Sequence, residues 1–187
     1  LSAHVYVSEV TVTNCSASHT GQGGGVYLAS NASLHSEHQP QAQQRAATVR
    51  SNQAVTGGGL YCDNCSVIGS SGLEQLDFIG NTASHGANIF LNNTGHLAGL
   101  SLRDAVASCS GGGIYAAASS TVVVENSLIE RNLATGTARH ECGGGGAYVS
   151  DGAILYLGEN TTVVRNEAIV GGGIFVAQYA MLTTQVL

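Results

Sequence analysis

A short block, a glycine cluster followed by an aliphatic and then an aromatic residue, recurs six times and constrains the fold more than any other feature of the chain. The copies are Gly23-Gly24-Gly25-Val26-Tyr27, Gly57-Gly58-Gly59-Leu60-Tyr61, Gly86-Ala87-Asn88-Ile89-Phe90, Gly111-Gly112-Gly113-Ile114-Tyr115, Gly144-Gly145-Gly146-Ala147-Tyr148 and Gly171-Gly172-Gly173-Ile174-Phe175; the third is degraded. A second element precedes the block: Val49-x-x-Asn52-x-Ala54, Phe78-x-x-Asn81-x-Ala83, Ile129-x-x-Asn132-x-Ala134 and Val163-x-x-Asn166-x-Ala168. Ser101-x-x-Asp104-x-Val106 and Thr11-x-x-Asn14-x-Ser16 read as weaker copies. Successive aromatics are 34, 29, 25, 33 and 27 residues apart, a drift expected when turns accept insertions and strands do not.

The local chemistry selects among repeat architectures. Ser120-Thr121-Val122-Val123-Val124-Glu125 and Thr161-Thr162-Val163-Val164-Arg165 are β-branched stretches, which disfavours helical repeats. Val26 and Leu28, Ile89 and Leu91, and Ile174 and Val176 flank an aromatic, so two-residue alternation points the aliphatics inward and the ring outward. Coils of about 30 residues, stacked at the ~4.8 Å spacing of paired strands, make a parallel β-helix of about six coils, roughly 29 Å long. Propeller blades are longer and carry Asn-Gly hairpin turns, which this sequence lacks.

Within that frame the glycines mark left-handed turns or close approach of neighbouring coils. The recurrent Asn reads as a turn residue that tolerates left-handed geometry and hydrogen-bonds to the next coil, forming a ladder. Once per structural unit is a structural rhythm rather than a catalytic one. The whole of residues 1–187 is expected to be one β-helix segment of a longer chain, with a polar surface insertion at 35–47.

Phe78-Ile79-Gly80-Asn81, together with the Gly-Gly-aliphatic-aromatic blocks, resembles the repeats of chlamydial polymorphic outer-membrane proteins and of related eukaryotic proteins, within the pectate-lyase-like β-helix group. The resemblance spans roughly residues 11 to 176. It implies an all-β, right-handed parallel β-helix and a surface-displayed adhesive or structural stalk.

Five cysteines occur, at 15, 62, 65, 109 and 142. Cys109 and Cys142 each lie six residues before the aromatic of their repeat, so stacked coils bring them within disulfide range. Cys62 and Cys65 read as a local disulfide, and Cys15 is left without a partner in the chain. Five N-glycosylation sequons begin at Asn14, Asn31, Asn64, Asn92 and Asn160. Asn31, Asn64 and Asn92 fall just after the aromatic in three successive coils, while the ladder positions Asn52, Asn81, Asn132 and Asn166 never form sequons. Disulfides and sequons together predict an extracellular, secreted or cell-surface glycoprotein.

The chain carries a formal charge of −6 with no Lys, and its six Arg are scattered along the sequence, so nucleic acid is not an expected partner. No apolar run is long enough to insert directly into a membrane as a helix. Asp63, Asp77, Asp104 and Asp151 never pair at short spacing, as a glycoside hydrolase would need, and no Lys base serves a lyase. Glu130-Arg131 with Arg165 one coil later reads as a cross-coil ion pair. His35-Ser36-Glu37-His38 and His140-Glu141-Cys142 lack metal-ligand spacing, so no metal or other cofactor is expected. One binding surface remains: the outward column Tyr27, Tyr61, Phe90, Tyr115, Tyr148 and Phe175, open to sugar stacking, to a protein partner, or to covering by its own turns. The expected function is a non-catalytic structural or adhesive solenoid, possible as part of a filament, contacting other extracellular proteins or further copies of itself. The alternatives are a carbohydrate-active enzyme and a glycan-binding module.

Overall fold

A computed structural model describes residues 2–18, 20–36, 47–69, 76–137 and 142–184. Among these are 21 strands and no helix, arranged as three sheets of 11, 6 and 4 strands in which neighbours run parallel. The chain is a β-solenoid of about six turns. Each coil passes through the largest sheet on glycine-led strands such as Ile114–Ala116 and the strands that follow, such as Thr121–Glu125. It then crosses the six-stranded sheet, as at Leu128–Glu130, bends, and returns through the short four-stranded sheet, as at Leu133–Ala134.

Alternation sets what faces inward. Val12, Val49, Phe78, Leu102, Ile129 and Val163 stack as one register column of the six-stranded sheet, and Val49, Phe78, Leu102 and Ile129 are buried in the core. In the glycine-led strands Leu28, Leu60, Ile89, Leu91 and Ile114 are buried, as the sequence pattern requires, whereas Val26 and Ile174 are half-buried and Val176, in the last described coil, is exposed. His35 and Ser36 belong to strand Ala32–Ser36, so the polar insertion starts after them; residues 37–46 lie outside the described residues.

The pairing register corrects the reading of the second repeat element. Because Val12 and Leu102 occupy the column of Val49 and Phe78, the counterparts of Asn52 and Asn81 are Cys15 and Ala105, one residue beyond Asn14 and Asp104. The left-handed turn residue is also not the ladder Asn. It is the residue before: Asn14, Ser51, Gly80, Asp104, Arg131 and Arg165 all have φ between 53° and 62°. This short turn swings the following side chain into the corner between the second and third sheets.

There the Asn side chains form a buried amide ladder. Asn52 Nδ2 donates to Val12 O (3.1 Å), Asn81 Nδ2 to Val49 O (3.0 Å), Asn132 Nδ2 to Leu102 O (2.9 Å) and Asn166 Nδ2 to Ile129 O (2.8 Å). In the other direction, the backbone N–H groups of Cys15, Asn52, Ala105 and Asn132 donate to Oδ1 of Asn52, Asn81, Asn132 and Asn166. Each amide thus serves a donor and an acceptor of the neighbouring coil at the bend.

Glycine completes the corner. A Cβ on Gly113 would lie 2.5 Å from Gly146 O and 3.1 Å from Asn132 Nδ2. The degraded third copy is the informative exception, because Asn88 stands in that third glycine position, one coil before Ala105 leaves the ladder without an amide. Asn81 Nδ2 donates to Asn88 Oδ1 (2.9 Å) and Asn88 Nδ2 donates to Asn132 Oδ1 (3.1 Å). Asn88 is fully buried and bridges the gap that Ala105 opens. The two departures compensate each other.

Replacing Asn88 with Gly is expected to destabilise the fold by about 2 kcal/mol, the cost of leaving buried amide groups underserved. For a chain of this size that is a fall of roughly 4–8 °C in Tm. The double variant Asn88→Gly/Ala105→Asn restores a regular ladder and is expected to recover most of the loss in a calorimetric scan.

Candidate functional site

The aromatic column forms as the register dictates. Tyr27–Tyr61, Tyr61–Phe90, Phe90–Tyr115, Tyr115–Tyr148 and Tyr148–Phe175 stack with centroids 5.1, 5.2, 4.9, 5.1 and 4.9 Å apart and interplanar angles of 11° or less. The cause is the alternation of the glycine-led strands, which places each ring directly over the last. The rings consume one another's faces. Tyr61 and Tyr148 are only 7% and 5% exposed, Phe90, Tyr115 and Phe175 are half-buried, and Tyr27 at the end of the stack is 50% exposed.

Flanking residues supply the covering. His85 tilts against Tyr115 with centroids 5.2 Å apart, and Gln22 hydrogen-bonds to Tyr61. Burial pushes the His85 imidazole below its ordinary pKa, and its Nδ1 has no partner among the described residues. Its contribution to stability is present above the ordinary imidazole pKa and is lost as the pH falls below it. Burial, then the neighbouring Tyr27 and Asp63, raises the Tyr61 pKa. An internal ring presents a protected edge rather than a face on which a sugar could stack.

Both expected disulfides are present. Cys109–Cys142 joins consecutive coils with a Cα separation of 4.6 Å, and Cys62–Cys65 closes a short loop at 5.6 Å. Cys15 is free and exposed.

The sequon asparagines sit at turns, with one shift of register. Asn31, Asn64 and Asn93, rather than Asn92, share the left-handed turn after the aromatic strand, with φ of 63°, 53° and 65°. Asn92 pairs with Asp63 one residue earlier. Asn14 and Asn160 are also left-handed. Asn favours that conformation, and the strand that follows such a turn is rich in Ser and Thr; turn geometry therefore gives these sequons a backbone reason of their own. Asn14, Asn31 and Asn160 are exposed, whereas Asn64 and Asn92 are half-buried. Four of the five amides are engaged: Asn64 Nδ2 donates to Asn31 Oδ1 (3.1 Å), Asn92 Nδ2 to Asp63 Oδ1 (3.1 Å) and Asn160 Nδ2 to Asn126 Oδ1 (3.1 Å).

Asp63 is a turn organiser that the sequence did not single out. Its carboxylate accepts from Ser30 Oγ (2.9 Å), Asn93 Nδ2 (2.7 Å) and Asn92, and these bonds, Ser30 first, lower its pKa. Only the register, which brings three coils to one corner, reveals it.

Folding gathers what looked scattered. The four described arginines, Arg50, Arg103, Arg131 and Arg165, all lie along the six-stranded sheet and the turn that leaves it. Arg103 pairs with Asp77 (3.1 Å), Arg131 with Asp104 (2.8 Å) and Glu130 (2.8 Å), and Arg165 with Glu130 (3.1 Å), the last being the expected cross-coil pair. These half-exposed pairs are worth little individually and neutralise the strip. Among the described residues no group of three His, Cys, Asp or Glu side chains is placed to hold a metal ion. His38, His140 and Glu141 lie outside the described residues.

The geometry defines a parallel β-solenoid whose repeated side chains are turned toward neighbouring coils. No family model, curated protein or solved structure matches the chain.

Truncating an internal ring should cost far more than truncating the terminal one. Tyr148→Ala is expected to lose about 3–5 kcal/mol, and Tyr27→Ala about 1 kcal/mol because half of that ring already faces water. Parallel denaturant titrations of the two variants check the ratio.

Proposed function

We propose that this chain is a non-catalytic extracellular β-solenoid glycoprotein with a structural or adhesive role, exposed at the cell surface or secreted. One observation carries the reading: the residues that recur from coil to coil, Asn, Gly and aromatic, are spent on coil-to-coil contacts. Such a shaft transmits load and displays turns. The resemblance of its blocks to polymorphic outer-membrane-protein repeats, in a right-handed coil, supports the same role.

The acidic side chains accord with it. Asp77, Asp104 and Glu130 are tied to Arg, and Asp63 is tied to turn amides, so these four carboxylates are engaged in contacts between and within coils. The cross-coil disulfide Cys109–Cys142 and the small Cys62–Cys65 loop suit an oxidising compartment. Closing a loop with a sequence separation of 33 residues is worth about 4 kcal/mol in the chain-entropy account. Partners are other extracellular proteins or further copies of the chain, met at the solenoid's turns, sides or ends, without nucleic acid and without membrane insertion. N-linked glycans belong on the exposed turns, among them Asn14 and Asn31, whose Nδ2 groups donate no hydrogen bond among the described residues.

Secretion of the chain from eukaryotic cells, followed by non-reducing peptide mapping and incubation with a polysaccharide panel, tests this directly. The expected result is two linked cysteine pairs, glycan on at least one exposed sequon, and polysaccharides of unchanged length. Retention as a reduced, unglycosylated cytosolic protein, or shortening of any polysaccharide, would overturn the proposal.

A further inference from the structure

A separate side-chain cluster lies on the outer face of the first two coils, away from the aromatic column. Strand Ala3–Val7 pairs in register with Ala32–Ser36, setting His4 beside Ser33 and Tyr6 beside His35. Alternation then puts His4, Ser33 and His35 on one face. His4 Nδ1 lies 2.6 Å from Ser33 Oγ, and His35 Nε2 lies 2.9 Å from the same oxygen. Two imidazole nitrogens from adjacent strands therefore converge on one point.

The rings are held from behind. His4 Nε2 is 3.1 Å from Ser2 Oγ, and His35 stacks on Tyr6 with centroids 5.2 Å apart. With its proton on Nε2, His4 donates to Ser2 and aims the Nδ1 lone pair inward. This is the outer contact that ordinarily fixes the tautomer of a metal-binding histidine. Moving the His35 proton to Nδ1 frees its Nε2 lone pair in the same direction. The cluster borders a shallow recess lined by Ser2, His4, Asn31, Ser33, Asn64 and Ser66, so it is reached from solvent. Arg50, Arg103, Arg131 and Arg165 all belong to the six-stranded sheet and its turn, so no described arginine shares these strands.

We propose that His4 and His35, with Ser33 Oγ as a neutral third ligand, bind one divalent transition-metal ion of the imidazole-seeking class, Cu2+ or Zn2+. Water completes the coordination. Imidazole nitrogens suit these ions, and a small rotation of each ring brings its nitrogen to the usual bond length of about 2.1 Å. The ring centroids, now 6.0 Å apart and inclined at 47°, leave room for an ion between them. Binding ties the first coil to the second through side chains as well as through the strand ladder.

Isothermal titration of the whole chain with CuSO4 and, separately, ZnCl2 tests the site. One saturable ion per chain is expected, lost in both His4→Ala and His35→Ala and unchanged in His96→Ala, a histidine on the same sheet paired instead with Glu125. Because His4 is exposed, its replacement leaves the fold intact by circular dichroism. The Cu2+-loaded chain should show hyperfine coupling to two imidazole nitrogens by electron paramagnetic resonance. Absence of saturable binding, or binding that survives both single variants, would overturn the proposal.

Discussion

The amide ladder at the corner between the second and third sheets is the interaction on which the rest depends. Strand-to-strand hydrogen bonding is interrupted where each coil bends, and the backbone groups stranded there are buried. A side-chain amide presents an N–H donor group and a carbonyl acceptor in fixed relation, so Asn matches the pair of groups that the neighbouring coil leaves open. Leaving such groups unserved costs about 1–3 kcal/mol each, enough to make the corner decide which register the coils adopt. A one-residue slip would also turn every buried aliphatic outward.

With the register fixed at the corner, the other contacts follow from it. Rings that share a column must stack, and cysteines at equal offsets from those rings must meet, as Cys109 and Cys142 do. Glycine is needed at the left-handed turn into each strand and where the coils come closest. At Gly111, φ is 66° and a Cβ would meet Ile114 O at 2.3 Å; at Gly113 the obstacle is the ladder itself. The same register assembles Asp63 with turn residues from the coils on either side, and the Glu130 ion pairs with Arg131 and Arg165.

The architecture was legible because strand alternation and block spacing are both written in consecutive residues. The aromatic column, the inward aliphatics and both disulfides could be read by counting from the tyrosines. The misreadings came from positions where counting needs the pairing partner. Asp104 and Asn14 looked like ladder residues, yet they take the left-handed turn and leave Ala105 and Cys15 in the corner. Asn88 looked like decay of a glycine block, although it replaces an amide missing from another coil. Asn92 and Asn93 are adjacent in sequence, and only the register distinguishes the turn residue from its neighbour. Each error is a shift between columns, invisible until two coils are laid side by side.

A shaft built this way places its variable chemistry at turns and outer faces, while its repeated residues are committed to holding coils together. Exchange of the side-chain amide protons, followed by NMR on the folded chain in deuterated buffer, tests the central claim most directly. The Nδ2 protons of Asn52, Asn81, Asn88 and Asn132 should exchange many times more slowly than those of the exposed Asn126, whose amide donates no bond in the turn. Equal exchange rates for the buried and exposed amides would contradict the ladder and, with it, the stacking of the coils.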